Sequence, residues 1–446
     1  MNTDHKKVIT RIPPSPTGHL HIGTARTALF NYLFAKSHNG EVVFRCEDTD
    51  SERSKREFED EIIEGLNWLG IYWDNTVVRQ SERKDIYTKY IDTLIGEGKA
   101  YISEEVSKKD ISQTVSVVRL KNPGTVITFT DSIRGDITFD TTELGDFVIA
   151  RSVTDPLYHL TVVVDDELMG VTHVLRGEDH ISNTPRQILI QEALGFERPT
   201  YGHLPLILAP DRSKMSKRHG AVAIHEYKNM GILPDAILNY LALLGWNPGT
   251  DQEIFTLDEL VSIFTINKVQ KGGAIFNLEK LLWLNKEHIA KQDTDFKLHY
   301  VMEAFKETDF DIDEIAKVRI QKITPTVLER HSSKAEIKKS IEENDFDYLF
   351  MTPEFDPTLL TWKNDTDINA YKPRLMAVRE ILESADFSSP EKLKESLWSY
   401  VEKTGKGEVL WPLRVSLSGK KQSPDPFTLL YVLDKEESIK RVSACV

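Results

Sequence analysis

The sequence predicts an α/β protein built on a doubly wound parallel sheet, with a small β-rich insertion and a helical C-terminal region. Three observations lead to this fold class. Strands and helices alternate at the start of the chain, which favours a parallel sheet. Short runs of alternating hydrophobicity interrupt that rhythm between about residues 71 and 154, and helical periodicity dominates after about residue 232.

The first elements follow from local sequence. Val8–Ile12 is predicted to be a strand, because the prolines at 13, 14 and 16 prevent it from continuing into a helix. Apolar residues recur at helical spacing from Ala25 to Lys36, and Gly40 ends this helix. Glu41–Arg45 is the second buried strand, and Ser51 can cap the helix after it. Polar residues come directly after both strands, at the edge where doubly wound sheets bind ligands.

Further strands are predicted within the insertion and after it. Turns around Pro123 and Gly135 separate short alternating runs, so residues 71–154 are predicted to form a small β-rich unit. The parallel sheet then resumes, and Thr184 is expected to cap a helix with Pro185 in its first turn. The strands expected here are Ser116–Leu120, Val126–Phe129, Asp146–Ile149, Val171–Arg176 and Leu204–Leu208. From about Ile232 onward every element is predicted to be helical.

Length and composition indicate a soluble globular protein. The 446 residues exceed one ordinary core, so roughly two to four domains are expected, and 40% hydrophobic with 28% charged residues is typical of globular chains. No apolar run approaches the roughly 18–20 residues of a membrane span, and no signal peptide precedes Val8. Cys46 and Cys445 form no CxxC pair, so neither a disulfide framework nor a cysteine-based zinc site is expected. The expected compartment is the cytoplasm.

The net charge of −14 does not exclude a nucleic-acid partner, because it describes the whole surface and not one binding face. Basic residues form local clusters, and each cluster is either a set of solvated helix faces or part of a stripe that binds RNA. The clusters are Lys214, Lys217 and Arg218; Lys268 and Lys271; and Lys317, Arg319, Lys322, Arg330, Lys334, Lys338 and Lys339.

A proline- and glycine-rich turn, PSPTGHLHIGT, carries the first motif with chemical meaning. It delivers His21 and Gly23 to the expected start of a helix, where exposed N–H groups favour anionic phosphate. Taken alone, a histidine such as His21 is more often a core or capping residue than a ligand of phosphate.

The second motif, DRSKMSKRHG, lies almost two hundred residues later. Lys214 and Lys217 are three residues apart in it, with the hydroxyl of Ser216 between them. Two ammonium groups on such a loop can hold a polyphosphate while a phosphate ester forms or breaks. Together the two motifs predict a nucleotide-dependent enzyme.

Longer segments carry a resemblance to a known family. PSPTGHLHIGTARTALFNYLFAK, FRCEDTD, THVLRGEDHISNTPRQ and SKMSKRHGA occur in this order, and LNYLALLGW, LLWLN and PLRVSLSGKKQSP follow them. They resemble bacterial glutamyl-tRNA synthetases, class I aminoacyl-tRNA synthetases with a Rossmann-type catalytic domain. The likeness covers nearly the whole chain. It implies ATP-dependent ligation of L-glutamate, through glutamyl-adenylate, to the terminal adenosine of tRNA(Glu), with tRNA(Gln) a further candidate, by a monomer that does not bind membranes.

The resemblance also implies five regions. Residues 1–70 and 155–231 would be the two halves of the Rossmann domain, the second with the KMSKR loop. Residues 71–154 would be a shortened acceptor-stem-binding insertion, 232–312 a helical stem-contact region and 313–446 a helical anticodon-binding domain.

The resemblance assigns the nucleotide site. His21, Lys214 and Lys217 would be catalytic, with the lysines clamping pyrophosphate on a mobile loop. Thr24 stands at the last position of the family's HIGH signature, a departure common in that family. ATP is expected as a substrate, with Mg²⁺. The implied ATP-binding residues are Thr17, His21, Gly23, Thr24, Lys214, Ser216 and Lys217.

The resemblance likewise assigns the amino-acid site, whose implied residues are Arg11, Ser15, Glu47, Tyr158 and Arg176. Glu47 would take the α-ammonium, and Arg11 and Arg176 would share the two carboxylates. For Arg176 the alternative is a structural ion pair with Glu178 or Asp179. Asp165 and Asp166 could be related to magnesium, but a structural or loop-orienting role is favoured.

Two departures from the family stand out. Many relatives have a longer insertion after Tyr101, sometimes with Cys/His zinc ligands; here it is short and has no cysteine, so zinc is not expected and no metal site is predicted. Where some relatives place an arginine that reads the third anticodon base, this chain has Thr324-Pro325-Thr326. This difference suggests relaxed discrimination between the tRNAs for glutamate and glutamine.

Three alternatives are open to test. A relative that glutamylates a modified tRNA base would match only the catalytic half. A simple nucleotidyltransferase would lack the RGEDH and EDTD segments. A non-catalytic RNA-binding paralogue would typically have lost the lysine loop or the histidine turn, and both are intact here.

Overall fold

The computed structural model describes residues 7–106, 114–216, 223–308, 310–354, 356–363, 365 and 367–446. The chain forms two compact units, of which the first ends at Leu284 and the second comprises Asn285–Val446. Within the described ranges, no helix is both long enough and apolar enough to cross a membrane. The finer division into five regions stays a prediction.

Most regular structure before residue 284 is a mixture of strands and helices. The strands are β1 Ile9–Ile12, β2 Glu41–Cys46, β3 Val78–Arg79, β4 Ala100–Val106, β5 Thr114–Leu120, β6 Val126–Asp131, β7 Gly135–Asp140, β8 Phe147–Ser152, β9 Asp155–Pro156, β10 His173–Gly177, β11 Thr200–Leu204, β12 Ile207–Leu208 and β13 Ala274–Ile275. The helices as far as Ala290 are α1 Ile22–Ser37, α2 Arg56–Trp68, α3 Lys84–Gly96, α4 Tyr158–Leu168, α5 Thr184–Leu194, α6 Ile224–Asn229, α7 Pro234–Leu243, α8 Leu257–Ile263 and α9 Leu278–Ala290.

The α and β elements described in the second unit are all helices. They are α10 Thr294–Lys306, α11 Glu314–Arg330, α12 Lys334–Glu342, α13 Pro357–Leu360, α14 Tyr371–Leu382, α15 Pro390–Thr404, α16 Lys406–Ser418 and α17 Pro426–Ser443.

The central sheet grows outward from β1 in two directions. β1, β2 and β3 pair in parallel in that order, and β10 pairs in parallel with β11. The Thr172 N–H donates to the Ile9 carbonyl (3.0 Å), which places the start of β10 beside β1. The order therefore reverses between β1 and β10, and ligands of doubly wound sheets bind at the carboxyl ends of the strands at such a point.

Both faces of this sheet are covered. Val42 and Phe44 of β2 are fully buried in one core, together with Leu29 of α1 and Leu241 of α7. Val43, between them, points into a second core. Because neighbouring strand residues face opposite sides, β2 is buried on both faces, as parallel strands in a doubly wound fold require. The predicted fold class is confirmed.

Residues 71–154, predicted as one β-rich insertion, contribute strands at three places, the first of which is β3 beside β2. β4, β5, β8 and β9 form an antiparallel sheet in that order. The β6–β7 hairpin instead extends the β10–β11 sheet, with Asp131 opposite Tyr201. Part of the predicted insertion is therefore tied to the central sheet by backbone pairing.

Three local predictions were wrong. Ser51 does not cap α2; a turn follows it, and the helix begins at Arg56 without a side-chain cap. Thr184 is the first residue of α5 and not its cap, because its backbone is already helical, with φ −56° and ψ −46°. The region after Ile232 is not entirely helical, since β13 pairs in parallel with β12.

α17 contains a break. At Asp434 the backbone has φ 65° and ψ −179°, a conformation that residues with a Cβ rarely adopt. The Asp434 carboxylate accepts a hydrogen bond from the Glu437 N–H (3.2 Å), as an N-cap does. The helix is therefore stopped and capped again at one residue.

The two cysteines are buried in different units. Cys46 ends β2 and is 0% exposed, whereas Cys445 follows α17 and is 7% exposed. Burial raises the pKa of Cys46, with Glu59 adding to the shift, and burial raises the pKa of Cys445 to about 12. Both thiols are free and protonated at neutral pH.

Candidate active site

A cavity of about 890 Å³ opens at the carboxyl ends of β1 and β10. Its walls come from the β1–α1 loop, the start of α1, the residue after β2, the start of α4, the end of β10 and the segment after β12. The sequence-predicted site residues that line it are Arg11, Ser15, Thr17, His21, Gly23, Thr24, Glu47, Tyr158, Arg176, Lys214 and Ser216. Lys217 lies outside the described residues.

Arg176, near the end of β10, is buried at 5% exposure, and no acidic side chain in the described part of the chain forms an ion pair with it. Its guanidinium donates to His203 Nε2 (3.1 Å), Gln187 Oε1 (2.7 Å) and Thr184 Oγ1 (2.8 Å). These three bonds use three of its five N–H donors and leave one on each terminal nitrogen.

The predicted alternative for Arg176, an ion pair with a following carboxylate, does not form. Glu178 pairs with Arg134, and Asp179 pairs with Lys214. The positive charge of Arg176 therefore faces the cavity uncompensated by either neighbour.

Arg11 lies beside this charge at the end of β1. It donates to the Leu175 carbonyl (2.9 Å), and its Nε lies 3.6 Å from Asp166 Oδ1. Burial and the neighbouring Arg176 lower the pKa of Arg11, and Asp166 opposes that shift. Two guanidinium groups thus share one end of the cavity.

Arg45, fully buried beneath the cavity, connects the charged residues of this wall. It donates to Asp166 (2.7 Å) and to Glu47 (2.9 Å). Burial alone would lower its pKa, but Asp166, Glu47 and Asp165 outweigh burial and raise it. Burial raises the pKa of Glu47, and Arg45 and Arg11 oppose the shift. The Glu47 side chain is therefore held in place at the cavity wall by the Arg45 guanidinium behind it.

Asp165 has a structural role. It is 0% exposed and accepts hydrogen bonds from Gln80, Arg83 and Tyr87 at 2.7–3.0 Å. With Asp166 bound to Arg45, neither carboxylate lines the cavity. The magnesium interpretation of this pair has no support in the structure.

His21 is both the N-cap of α1 and part of the cavity wall. Its Nδ1 accepts a hydrogen bond from the Thr24 N–H (3.3 Å), and its Nε2 lies 3.0 Å from Thr24 Oγ1. Desolvation and the Lys214 ammonium lower the pKa of His21. With Nδ1 accepting, the neutral ring carries its proton on Nε2.

Lys214 follows a tight turn after β12. Ser213 donates its N–H (2.9 Å) and hydroxyl (2.6 Å) to Asp211 Oδ1, and Arg212 has φ 64°. The Lys214 ammonium is largely exposed and reaches Asp179 Oδ2 at 3.2 Å. Its charge is thus directed toward the GEDH segment across the cavity.

The comparisons with known proteins agree with this geometry. The family described as "tRNA synthetases class I (E and Q), catalytic domain" matches residues 7–109 and 102–283. The chain belongs to this class I tRNA synthetase family. A second family, described as "Anticodon binding domain", matches residues 296–446.

Similar proteins align with the chain over nearly their full length. Glutamate–tRNA ligases from Lawsonia intracellularis and from Aquifex aeolicus are both 40% identical to the chain, over 98% of each protein. A crystal structure of the Elizabethkingia meningosepticum glutamate tRNA ligase in complex with its amino acid matches with a TM-score of 0.87 and 30% identity, covering 98% of this chain and 99% of that one.

The sequence missed several residues of this class I synthetase site. Asp179 and His180 line the cavity, and His180 Nδ1 lies 3.2 Å from the Tyr158 hydroxyl oxygen. The polar GEDH run directly after a strand was an available signal for both. Arg45 and His203 gave no such signal, because each reaches the site only through contacts made by folding.

The basic cluster predicted around α11 is not one free cationic surface. Arg319 donates to the Leu349 carbonyl (2.8 Å), and Lys322 donates to the Tyr431 carbonyl (2.8 Å). Lys317 and Lys338 pair with Glu314 and Glu307. These contacts fit the interpretation of separate, internally bonded helix faces.

Proposed function

We propose that this chain is a glutamate–tRNA ligase. A carboxylate oxygen of L-glutamate attacks the α-phosphorus of ATP, the bond to pyrophosphate breaks, and glutamyl-adenylate forms. A ribose hydroxyl of the terminal adenosine of tRNA(Glu) then attacks the activated carbonyl and releases AMP. Both steps depend mainly on positioning and charge stabilisation.

The observation that carries this proposal is the buried guanidinium of Arg176, which has only neutral hydrogen-bond partners and lies beside Arg11. A buried cation of this kind favours a carboxylate ligand. Glutamine would place a neutral amide there and leave the guanidinium unpaired. A mismatch of this type can be worth roughly 10⁴–10⁵ in specificity.

Glu47 is suited to the α-ammonium of the same substrate. Its side chain lines the cavity and is 8% exposed. Among the described lining residues, it is the carboxylate that forms an ion pair with the buried Arg45. In our proposal, the carboxylate of Glu47 and the two guanidiniums of Arg11 and Arg176 together orient an amino acid with a second carboxylate.

His21 and the lysine motif would hold the phosphates. The neutral imidazole of His21 can donate from Nε2, and Lys214 can exchange Asp179 for a phosphate oxygen. Lys217 is assigned to the same role from the sequence. Magnesium would enter with ATP, since Glu47 and Asp179, the carboxylates of the described lining, already have cationic partners.

We further propose that the chain also accepts tRNA(Gln). The support is at Thr324, whose side chain is 5% exposed and donates to the Ile320 carbonyl (2.8 Å) within α11. A side chain bonded in this way is not available to read a base.

The test is aminoacylation of purified tRNA(Glu) and tRNA(Gln), side by side, with pyrophosphate exchange measured with and without tRNA. Glutamate-dependent charging of tRNA(Glu) is expected, as is charging of tRNA(Gln) with glutamate. Charging of tRNA(Glu) alone would refute the tRNA(Gln) proposal only. Exchange without any charged tRNA would indicate a nucleotidyltransferase, and failure of both would indicate a non-catalytic paralogue.

A further inference from the structure

Next to the cavity, three side chains from three separate elements meet. His19 belongs to the β1–α1 loop, Glu61 to α2 and His225 to α6. Their ligand atoms all lie within 4.8 Å of one another, and among the described residues this is the group of His, Cys, Asp and Glu side chains with the geometry to hold a metal ion.

The two histidines approach the carboxylate from different sides. His19 Nδ1 lies 2.5 Å from Glu61 Oε2, and His225 Nδ1 lies 3.0 Å from Glu61 Oε1. The two imidazole rings lie edge to face with centroids 4.9 Å apart. Nitrogen and oxygen donors therefore converge on one small volume, and each side chain is between 30% and 41% exposed, so an ion has access from solvent.

The backbone holds these elements together. The Ile224 N–H donates to the Leu20 carbonyl (2.8 Å), and His21 pairs with Ala223 in an antiparallel bridge. These contacts hold the segments that carry His19 and His225 next to each other.

The third donor is held by helix packing. Gly65 lies one turn after Glu61 on α2, and a Cβ at Gly65 would approach Leu20 Cδ2 to 2.8 Å. The missing side chain allows α2 to pack closely against the loop that carries His19. Ligands on elements held in this way lose little freedom when they bind an ion.

The simplest alternative is a pair of surface His–Glu contacts, each of which contributes little to the stability of the fold. One carboxylate shared by two imidazoles is better matched to a dication, which can bind all three groups at once while both rings stay neutral. Two imidazoles and one carboxylate suit Zn²⁺, Co²⁺, Ni²⁺ or Cu²⁺, whereas Mg²⁺ and Ca²⁺ prefer oxygen ligands only.

We propose that His19, Glu61 and His225 form a binding site for a divalent transition-metal ion, with solvent completing the coordination. The sequence prediction of no zinc considered cysteine-containing ligands in the insertion, and this cluster lies elsewhere. The proposal does not depend on the assigned ligase activity, because its readout is metal binding.

The experiment titrates the tag-free full chain with Co²⁺, following visible absorption and heat of binding. One equivalent should bind, Zn²⁺ should displace it, and Mg²⁺ in large excess should not. His19→Gln, Glu61→Gln and His225→Gln should each weaken Co²⁺ binding by at least about 100-fold, since a ligand is lost in each.

The matched control is His299→Gln, which changes an exposed histidine of α10 outside the cluster and should bind Co²⁺ like the unmodified chain. Circular dichroism checks that each variant folds. Three variants are used so that, if one of them does not fold, the other two still test the proposal. Absence of saturable Co²⁺ binding, or unchanged binding in the folded cluster variants, would overturn the proposal.

Discussion

A single glycine determines whether the His21 imidazole has room at the cavity wall. A Cβ on Gly23 would lie 3.1 Å from Cε1 and Nδ1 of that ring, closer than ordinary van der Waals contact. In the same turn, a Cβ on Gly18 would meet nothing within 4 Å. Two glycines of one motif therefore differ in what they permit.

We predict that Gly23→Ala lowers kcat for aminoacylation by roughly 10-fold, because the ring must tilt away from its position against Thr24. The melting temperature should stay level or rise, since alanine favours the start of a helix over glycine by up to about 1 kcal/mol. Gly18→Ala is the control and should retain activity. Equal losses in both variants would contradict the steric explanation.

The lysine loop gives a second prediction at this scale. Lys217→Ala should lower aminoacylation by at least about 100-fold, because charge on the leaving pyrophosphate is no longer stabilised. Folding, monitored by circular dichroism, should be unchanged. Turnover near that of the unmodified chain would refute the assignment of this lysine.

At the residue level, the sequence identified residues that lie in a motif and that line the cavity, but it missed residues that reach the cavity wall only through contacts made by folding. His21 and Lys214 were found because each lies in a short, ordered string. Arg45 reads simply as the end of a strand, and only the fold shows that it lies between Asp166 and Glu47. A sequence without coordinates contains no signal for such a partner.

At the scale of elements, strands and helices were predicted more reliably than their ends. The β2 and β10 positions followed from apolar runs, but the capping predictions at Ser51 and Thr184 were wrong. Whether a hydroxyl caps a helix depends on which backbone and side-chain groups lie within its reach. The Thr184 hydroxyl accepts a hydrogen bond from Arg176. The break in α17 had no sequence signal, because Asp434 stands in an otherwise helical pattern.

That break leads to a prediction for α17. Asp434→Gly should raise the free energy of unfolding of the second unit by about 1 kcal/mol, because glycine adopts this backbone conformation without strain and serves adequately at an N-cap. Asp434→Ala should lower it by about 1 kcal/mol, since the strain stays and the cap to Glu437 is lost. Urea denaturation measures both. A decrease for both variants would mean that the carboxylate outweighs the strain.

At the scale of the whole molecule, the order of the sheet explains why one cavity collects the predicted residues. β1 and β10 are far apart in sequence, and each carries an arginine as its next-to-last residue, at the reversal point of the sheet. The fold class was predictable from the alternation of strands and helices. The attachment of the β6–β7 hairpin to β11 was not, because long-range pairing depends on which edge the folded sheet leaves open.

Stability of the first unit should depend on pH through two histidines near this cavity. Burial lowers the pKa of His159 to about 4 and that of His180 to about 4, with nearby arginines adding to both shifts. In an unfolded chain the pKa would be about 6.5. Above pH 6.5 neither state binds these protons; below it the unfolded chain takes them up first, so stability is lost as pH falls toward 4.

We therefore expect the free energy of unfolding to fall by up to about 2.7 kcal/mol per pH unit between pH 6.5 and pH 4. Urea titrations of the full chain at pH 7, 6 and 5 measure the slope. His159→Gln should flatten it, whereas His299→Gln should leave it unchanged. A slope that is the same in all three proteins would show that other groups control the acid sensitivity.

Each unit contains one buried, protonated thiol, Cys46 in the first and Cys445 in the second. A thiol reagent added to the native chain can react with either only after the surrounding structure opens. The rate of modification at each cysteine, separated by mass spectrometry of its peptide, therefore reports how often that unit opens. The unaltered chain therefore carries two internal probes of local opening, Cys46 for the first unit and Cys445 for the second.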